Sequence, residues 1–169
     1  QKADYKMDID VEVKTYRYKG VQEITYKNNS PETLTKVYYH LYNNAFQPGS
    51  AMDLRVQHIP DPSPRMLVNV GTKEAPVNKS EISLLKPNEV GFIKIKSLAQ
   101  KRTLLKYHVE GTILEVALAK PIKSGKKTVL KMEFEGQVPK QVRRSGRNNA
   151  EGVALSMTQW YPKLAAYDA

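Results

Sequence analysis

The sequence contains no cysteine. That absence removes a disulfide framework, a thiolate zinc site and a cysteine nucleophile together, and leaves the redox compartment open. Long apolar runs are missing too: nothing approaches the roughly 18 consecutive apolar residues that a membrane helix requires. Short catalytic signatures are also missing. There is no H-E-x-x-H zinc helix, no G-x-S-x-G elbow, no P-loop and no dinucleotide fingerprint. His40, His58 and His108 stand apart, without a second ligand at i+3 or i+4. His108-Val109-Glu110 has the H-x-E spacing of zinc deaminases, but the P-C-x-x-C half cannot exist here. Asp8, Asp10 and Glu12 lack the Gly and the terminal Glu of a calcium loop, so they read as the wet face of a strand.

What is present is one domain's worth of chain, 169 residues with 40% hydrophobic content. Lys and Arg outnumber Asp and Glu by 27 to 17, a net charge of +10. Such a charge speaks to association with anions rather than to fold. Ten tyrosines stand against three phenylalanines and one tryptophan, and with the Thr and Val runs they favour strands. Tyr5 to Lys14 alternates, with Met7, Ile9, Val11 and Val13 on one face and Asp8, Asp10 and Glu12 on the other. Tyr16 to Gly20 reads as a turn, and Val21 to Lys27 as a strand with Gln22, Ile24 and Tyr26 on one side. Leu34 to Tyr42 is apolar or aromatic on both faces, as in a strand covered on both sides.

From Gln47 to Asn88 the pattern dissolves around six of the ten prolines. Pro60-Asp61-Pro62-Ser63-Pro64 can continue neither a ladder nor a helix, so the segment reads as an excursion with short strands near Met66–Val70. Regularity returns at Gly91–Leu98, in the alternation of Leu105, Tyr107 and Val109, at Ile113–Leu118 and at Thr128–Glu135. Pro121 to Lys127 reads as a polar loop, and Val153–Met157 as a last short strand. No amphipathic helix longer than two turns stands out. The expected fold is all-β, a saddle-like or sandwich domain of mainly antiparallel strands.

Two basic clusters remain, Lys123-Ser124-Gly125-Lys126-Lys127 and Lys140-Gln141-Val142-Arg143-Arg144-Ser145-Gly146-Arg147. Neither carries an aromatic on which a base could stack, so both read as solvated loops and no nucleic-acid partner is expected. The chain closes on Gln159-Trp160-Tyr161-Pro162-Lys163-Leu164-Ala165-Ala166-Tyr167-Asp168-Ala169, holding its one Trp and two Tyr. Termini are usually polar and frayed, so the end is expected to be a cut. In the isolated piece, Trp160, Tyr161, Leu164 and Tyr167 are expected to leave an apolar patch, exposed or covered by a second copy.

The order of segments resembles a known family. Tyr5-Lys6-Met7-Asp8-Ile9-Asp10-Val11, Tyr18-Lys19-Gly20, Ile24-Thr25-Tyr26-Lys27-Asn28-Asn29-Ser30 and Tyr39-His40-Leu41-Tyr42 are similar to the N-terminal domain of gluzincin zinc aminopeptidases. These are the relatives of aminopeptidase N and leukotriene hydrolase, particularly their bacterial branch. Phe134-Glu135-Gly136 and Met157-Thr158-Gln159-Trp160-Tyr161-Pro162 fall in the matching order.

The resemblance implies a β domain at residues 1–157 that precedes and partly covers a thermolysin-like catalytic domain, with 158–169 opening the connection to it. In that family a Thr-Gln pair, followed two residues later by Glu or Gln, helps hold the substrate's N-terminal amine. Thr158-Gln159 matches, and Tyr161 stands where the second polar residue is expected; Tyr167-Asp168 is similar to a later Phe-Asp. The implied substrate-binding residues are therefore Gln159 and Tyr161. The implied partners are a catalytic domain of the same polypeptide and a peptide substrate. No metal ligand or cofactor is expected in this chain, zinc being expected in the further domain. The implied location is periplasmic or secreted, with any signal peptide removed. A stand-alone β-sandwich module that binds carbohydrate or protein is the alternative.

Overall fold

A computed structural model describes residues 1–59, 66–140, 144–149 and 151–167. In chain order its elements are β1 (Lys2–Glu12), β2 (Arg17–Lys27), β3 (Leu34–His40), α1 (Ala51–His58), β4 (Leu67–Asn69), β5 (Asn78–Ser80) and β6 (Phe92–Gln100). They continue with β7 (Thr103–Leu104), β8 (Tyr107–Glu110), β9 (Ile113–Ile122), β10 (Lys127–Gln137), β11 (Gly146–Arg147), β12 (Leu155–Ser156) and β13 (Lys163–Leu164). One antiparallel sheet runs β1-β2-β10-β6-β7 and the other β13-β3-β9-β8. This is the expected all-β sandwich.

The core lies between the two sheets because strand alternation sends one side of each inward. Ile24 and Tyr26 of β2, Leu98 of β6, and Leu130, Met132 and Phe134 of β10 meet Val37 and Tyr39 of β3 and Leu114, Val116 and Ile122 of β9. Each such side chain contributes roughly 1.5–3 kcal/mol by leaving water. The outward residues of β1, among them Asp8 and Asp10, are solvated as their alternation requires.

Several expectations are corrected. The turn expected at Tyr16–Gly20 ends at Tyr16, whose φ of 60° closes the hairpin, and β2 already begins at Arg17. Gly20 belongs to that strand: it faces Ile9, and a Cβ there would lie 2.3 Å from the Ile9 Cδ1 atom. β3 is covered on one face only. Tyr38 is exposed, and the half-buried His40 stacks on Tyr42 at 5.0 Å. The loop expected from Pro121 starts later, because β9 continues to Ile122. A register shift in β3 between Leu34 and Lys36 accommodates that stretch.

The excursion at 47–88 is more ordered than its prolines suggest. It holds α1, the β4–β5 hairpin and a small core of Met66, Ile82 and Leu85, flanked by Phe46, Met52, Val56 and Val90. Pro60–Pro64 lies outside the described residues. The sequence did carry a start signal for α1, an acidic residue three positions after Ser50. Ser50 Oγ accepts from the Asp53 backbone N–H at 3.2 Å, and Asp53 Oδ2 accepts from the Gly49 N–H at 2.8 Å.

Candidate functional site

The segment from Thr158 to Leu164 is laid back over the inner face of the larger sheet rather than leading away from it. Polar groups at inward strand positions hold it. Tyr18 Oη donates to the Trp160 carbonyl at 2.6 Å and accepts from Asn43 Nδ2 at 3.2 Å. Gln22 Nε2 donates to the Pro162 carbonyl at 3.1 Å. Tyr5 Oη accepts from the Leu164 N–H at 2.8 Å, and β13 then joins β3 in register with Tyr39 and His40. At the upstream side, Ser145 Oγ meets the Thr158 carbonyl and hydroxyl, each at 3.0 Å.

Aromatic packing reinforces these bonds. Trp160 stands edge-on to Tyr18 at 5.7 Å, and Tyr161 edge-on to Tyr5 at 5.7 Å. Burial pushes the Tyr18 phenol far above its ordinary value, against the smaller opposing effect of the Asn43 hydrogen bond. The hydroxyl is therefore a protonated donor at every physiological pH. The expected apolar patch is consequently corrected: Leu164 is buried and Trp160, Tyr161 and Tyr167 are half-buried against this chain's own core. Asp168 lies outside the described residues.

Gln159 differs from its neighbours. It sits between the Thr158 and Trp160 anchors with φ 52°, a left-handed backbone that a non-glycine residue rarely adopts, and its side chain is exposed. Its amide has no hydrogen-bond partner among the described residues. Such strain persists only where flanking contacts enforce it, and the two anchors do so. The structure thus brings Gln159 and Tyr161 onto one clamped loop, with Gln159 projecting and Tyr161 packed on Tyr5. Neither lines the open cleft of about 990 Å³ that runs past Tyr18, Phe92, Lys94, Tyr107 and Glu135.

The residues that position this loop, Tyr5, Tyr18, Gln22 and Ser145, were not singled out from the sequence. Their signal was available for two of them: Tyr5 and Gln22 are polar groups at core-facing positions, which need partners when buried.

No group of three His, Cys, Asp or Glu able to hold a metal occurs among the described residues. His40 stacks on Tyr42, His58 Nδ1 contacts the Leu54 carbonyl at 2.7 Å, and His108 faces Glu110 at 3.5 Å. These donors are too scattered to fit zinc, and no chemistry of zinc is assigned to them.

A variant M1 zinc metallopeptidase from Deinococcus radiodurans, bound to a Tyr-Ser-Ala substrate, matches at TM-score 0.50 and 12% identity. The match covers 93% of this chain and 26% of that one. A two-domain M1 zinc metallopeptidase bound to L-arginine matches with the same identity, coverage and TM-score. The fold is one found in M1 zinc metallopeptidases. This chain spans about a quarter of the length of the M1 structures that it matches. At this identity the likeness is one of fold. No family model matches the sequence, and no curated protein matches it.

The M1-like fold depends on the clamp for its last strand, which gives a direct check. Tyr18→Phe leaves the Trp160 carbonyl and the Asn43 amide without their partner. It is expected to cost about 1–2 kcal/mol. Trp160 is the one tryptophan in the sequence, so its emission reports the clamp, and a shift to longer wavelength should accompany the loss. An unchanged spectrum and stability would show that packing alone holds the loop.

Proposed function

We propose that this chain is the non-catalytic N-terminal β domain of a zinc-dependent, aminopeptidase-like metallopeptidase, and that its clamped loop forms one wall of the substrate site. In this reading a further domain of the same polypeptide holds the zinc, which supplies a Lewis acid and an activated water. This chain's own part is recognition. The Gln159 amide oxygen accepts a hydrogen bond from the substrate's N-terminal ammonium, and Tyr161 closes the side of that subsite. The proposed location, periplasmic or extracellular, follows from the same family reading.

The observation that carries the proposal is the exposed, unpartnered Gln159 amide held on a strained backbone between two anchored residues. A loop whose only task was to end the fold would not need to fix an exposed amide in this way. In the parent protein, Gln159→Ala is expected to lower kcat/KM for substrates with a free N-terminus by about ten- to a hundredfold. This is the loss of a hydrogen bond to a charged group, ~1.5–3 kcal/mol. The thermal midpoint should stay unchanged, because nothing among the described residues bonds to that amide. Equal kcat/KM in the two proteins would return Gln159 to a structural role. A parent coding sequence without H-E-x-x-H would favour the binding-module alternative.

A further inference from the structure

The surplus positive charge is not spread evenly. Lys2, Lys27 and Lys127 stand directly opposite one another across β1, β2 and β10, an arrangement that costs energy through like-charge repulsion. Two loops add to this row. The turn Lys123–Lys126 is welded beside Lys27: the Asn28 N–H donates to the Lys126 carbonyl at 3.0 Å, and the Gly125 N–H to the Asn28 carbonyl at 2.7 Å. The turn at Lys101-Arg102 is welded to the same end. The Lys101 N–H donates to the Val129 carbonyl at 2.9 Å, and Gln100 Nε2 reaches Thr128 Oγ1 at 3.1 Å and the Lys120 carbonyl at 2.8 Å.

Lys27, Lys101, Arg102, Lys123, Lys126 and Lys127 form no ion pair among the described residues. Lys2 pairs with Asp4 at 3.3 Å. Nearby Glu32 is bound by the Tyr167 hydroxyl. The far end of the same sheet is mixed in sign: Asp8 and Glu133 flank Val21, but Asp10 and Glu135 flank Lys19 and pair with Lys19 and Lys96 respectively, and Glu12 faces Arg17. The second basic cluster is different, because two of its three described cations, Lys140 and Arg147, are engaged. Lys140 faces Glu89 at 3.9 Å, and Arg147 lies over the Tyr16 ring at 4.3 Å and donates to the Asn88 carbonyl. Residues 141–143 lie outside the described residues.

One apolar residue stands beside the unpaired cations. Leu104, two positions after Arg102, is 75% exposed, the highest value for a large apolar side chain among the described residues. Its register partner Ala99 faces Lys131, so Leu104 shares the outer face with the lysine row. Unpaired cations around a projecting leucine match the chemistry of an interface that is anionic at its surface and apolar beneath it. Neither loop offers an exposed aromatic for base stacking, which argues against a single-stranded nucleic acid.

We propose that this corner of the larger sheet docks on an anionic lipid bilayer, with Leu104 entering the headgroup layer and the far end, where acids and bases pair, held away. The inference is independent of the peptidase reading. The test is co-sedimentation of the chain with phosphatidylcholine vesicles and with vesicles that also contain phosphatidylglycerol. Binding is expected to the second only, and to be lost between about 0.1 M and about 1 M salt. Lys126→Glu/Lys127→Glu should weaken it at least tenfold, each cation at such a surface being worth about fivefold. Leu104→Asn should weaken it severalfold without changing charge, and Lys140→Glu should leave it nearly unchanged. Failure to bind the anionic vesicles, or equal binding to both vesicles, overturns the proposal. Equal losses from Lys140→Glu and from one of the corner lysines would assign the binding to net charge instead. Equally tight capture by an oligonucleotide, insensitive to Leu104→Asn, would assign the corner to a soluble polyanion.

Discussion

Phe134→Ala is expected to lower the unfolding free energy of this domain by about 4 kcal/mol, the usual loss for a large aromatic removed from a close-packed core. Phe134 is fully buried in β10, at the point where the register with β6 shifts between Glu133 and Phe134. Its ring meets Tyr18 edge-on at 6.4 Å, and it fills the space that Gly20 leaves by having no side chain. Removing it therefore opens a cavity beneath two strands and loosens the residue that clamps Trp160. For a domain of this size the thermal midpoint should fall by about 10 °C. Phe134→Leu should lose far less, because most of the volume remains. A loss below about 1 kcal/mol in urea titrations of Phe134→Ala would mean that the core collapses around the gap.

Gly136→Ala is expected to be almost as damaging, although it adds one methyl group. A Cβ at Gly136 would lie 2.2 Å from Cζ and 2.3 Å from Oη of Tyr18. Tyr18 has little freedom to yield, since its hydroxyl is held by Trp160 and Asn43 and its ring is flanked by Phe134 and Trp160. Overpacking of this kind costs about 3 kcal/mol when the obstructing group cannot move. The signature is coupling. Combined with Tyr18→Ala, which removes the obstruction, Gly136→Ala should become nearly neutral, so the double variant loses much less than the sum of the single ones. Additive losses would show that Gly136 is needed for its backbone rather than for the space above it. The same variant should displace the loop that carries Gln159, so in the parent protein it should also lower kcat/KM.

How much of this was legible in the sequence differs from element to element. β10 was readable almost to the residue, because Leu130, Met132 and Phe134 alternate with Lys131, Glu133 and Glu135 and no turn residue interrupts them. β2 was read four residues short, because Gly20 has two physical uses. It serves turns through its backbone freedom and strands through its lack of a side chain, and only the approach of Ile9 distinguishes them. α1 was missed because eight residues are too few to display a period. The candidate loop is partly legible: Gln159 and Tyr161 follow from a family resemblance, and Tyr5 and Gln22 stand out as polar groups at core-facing positions, while the roles of Tyr18 and Ser145 in holding that loop become visible only when the strands are assembled.

By itself the sequence determined the class of fold, the inward faces of the long strands, and the absence of thiol chemistry. These are local properties, set by the period of two in the side chains and by which residue types are present at all. Only the tertiary structure decided that the closing segment packs back as a strand. That outcome depends on hydrogen bonds from Tyr18 to Trp160 and from Gln22 to Pro162, partners well over a hundred positions apart in sequence. It also decided which of the unpaired cations gather at one corner. Composition counts cations, but strand register and the Asn28 and Gln100 bridges place Lys27, Lys127 and the two basic turns at one end. Long-range pairing brings such groups together, and no local pattern in the sequence encodes it.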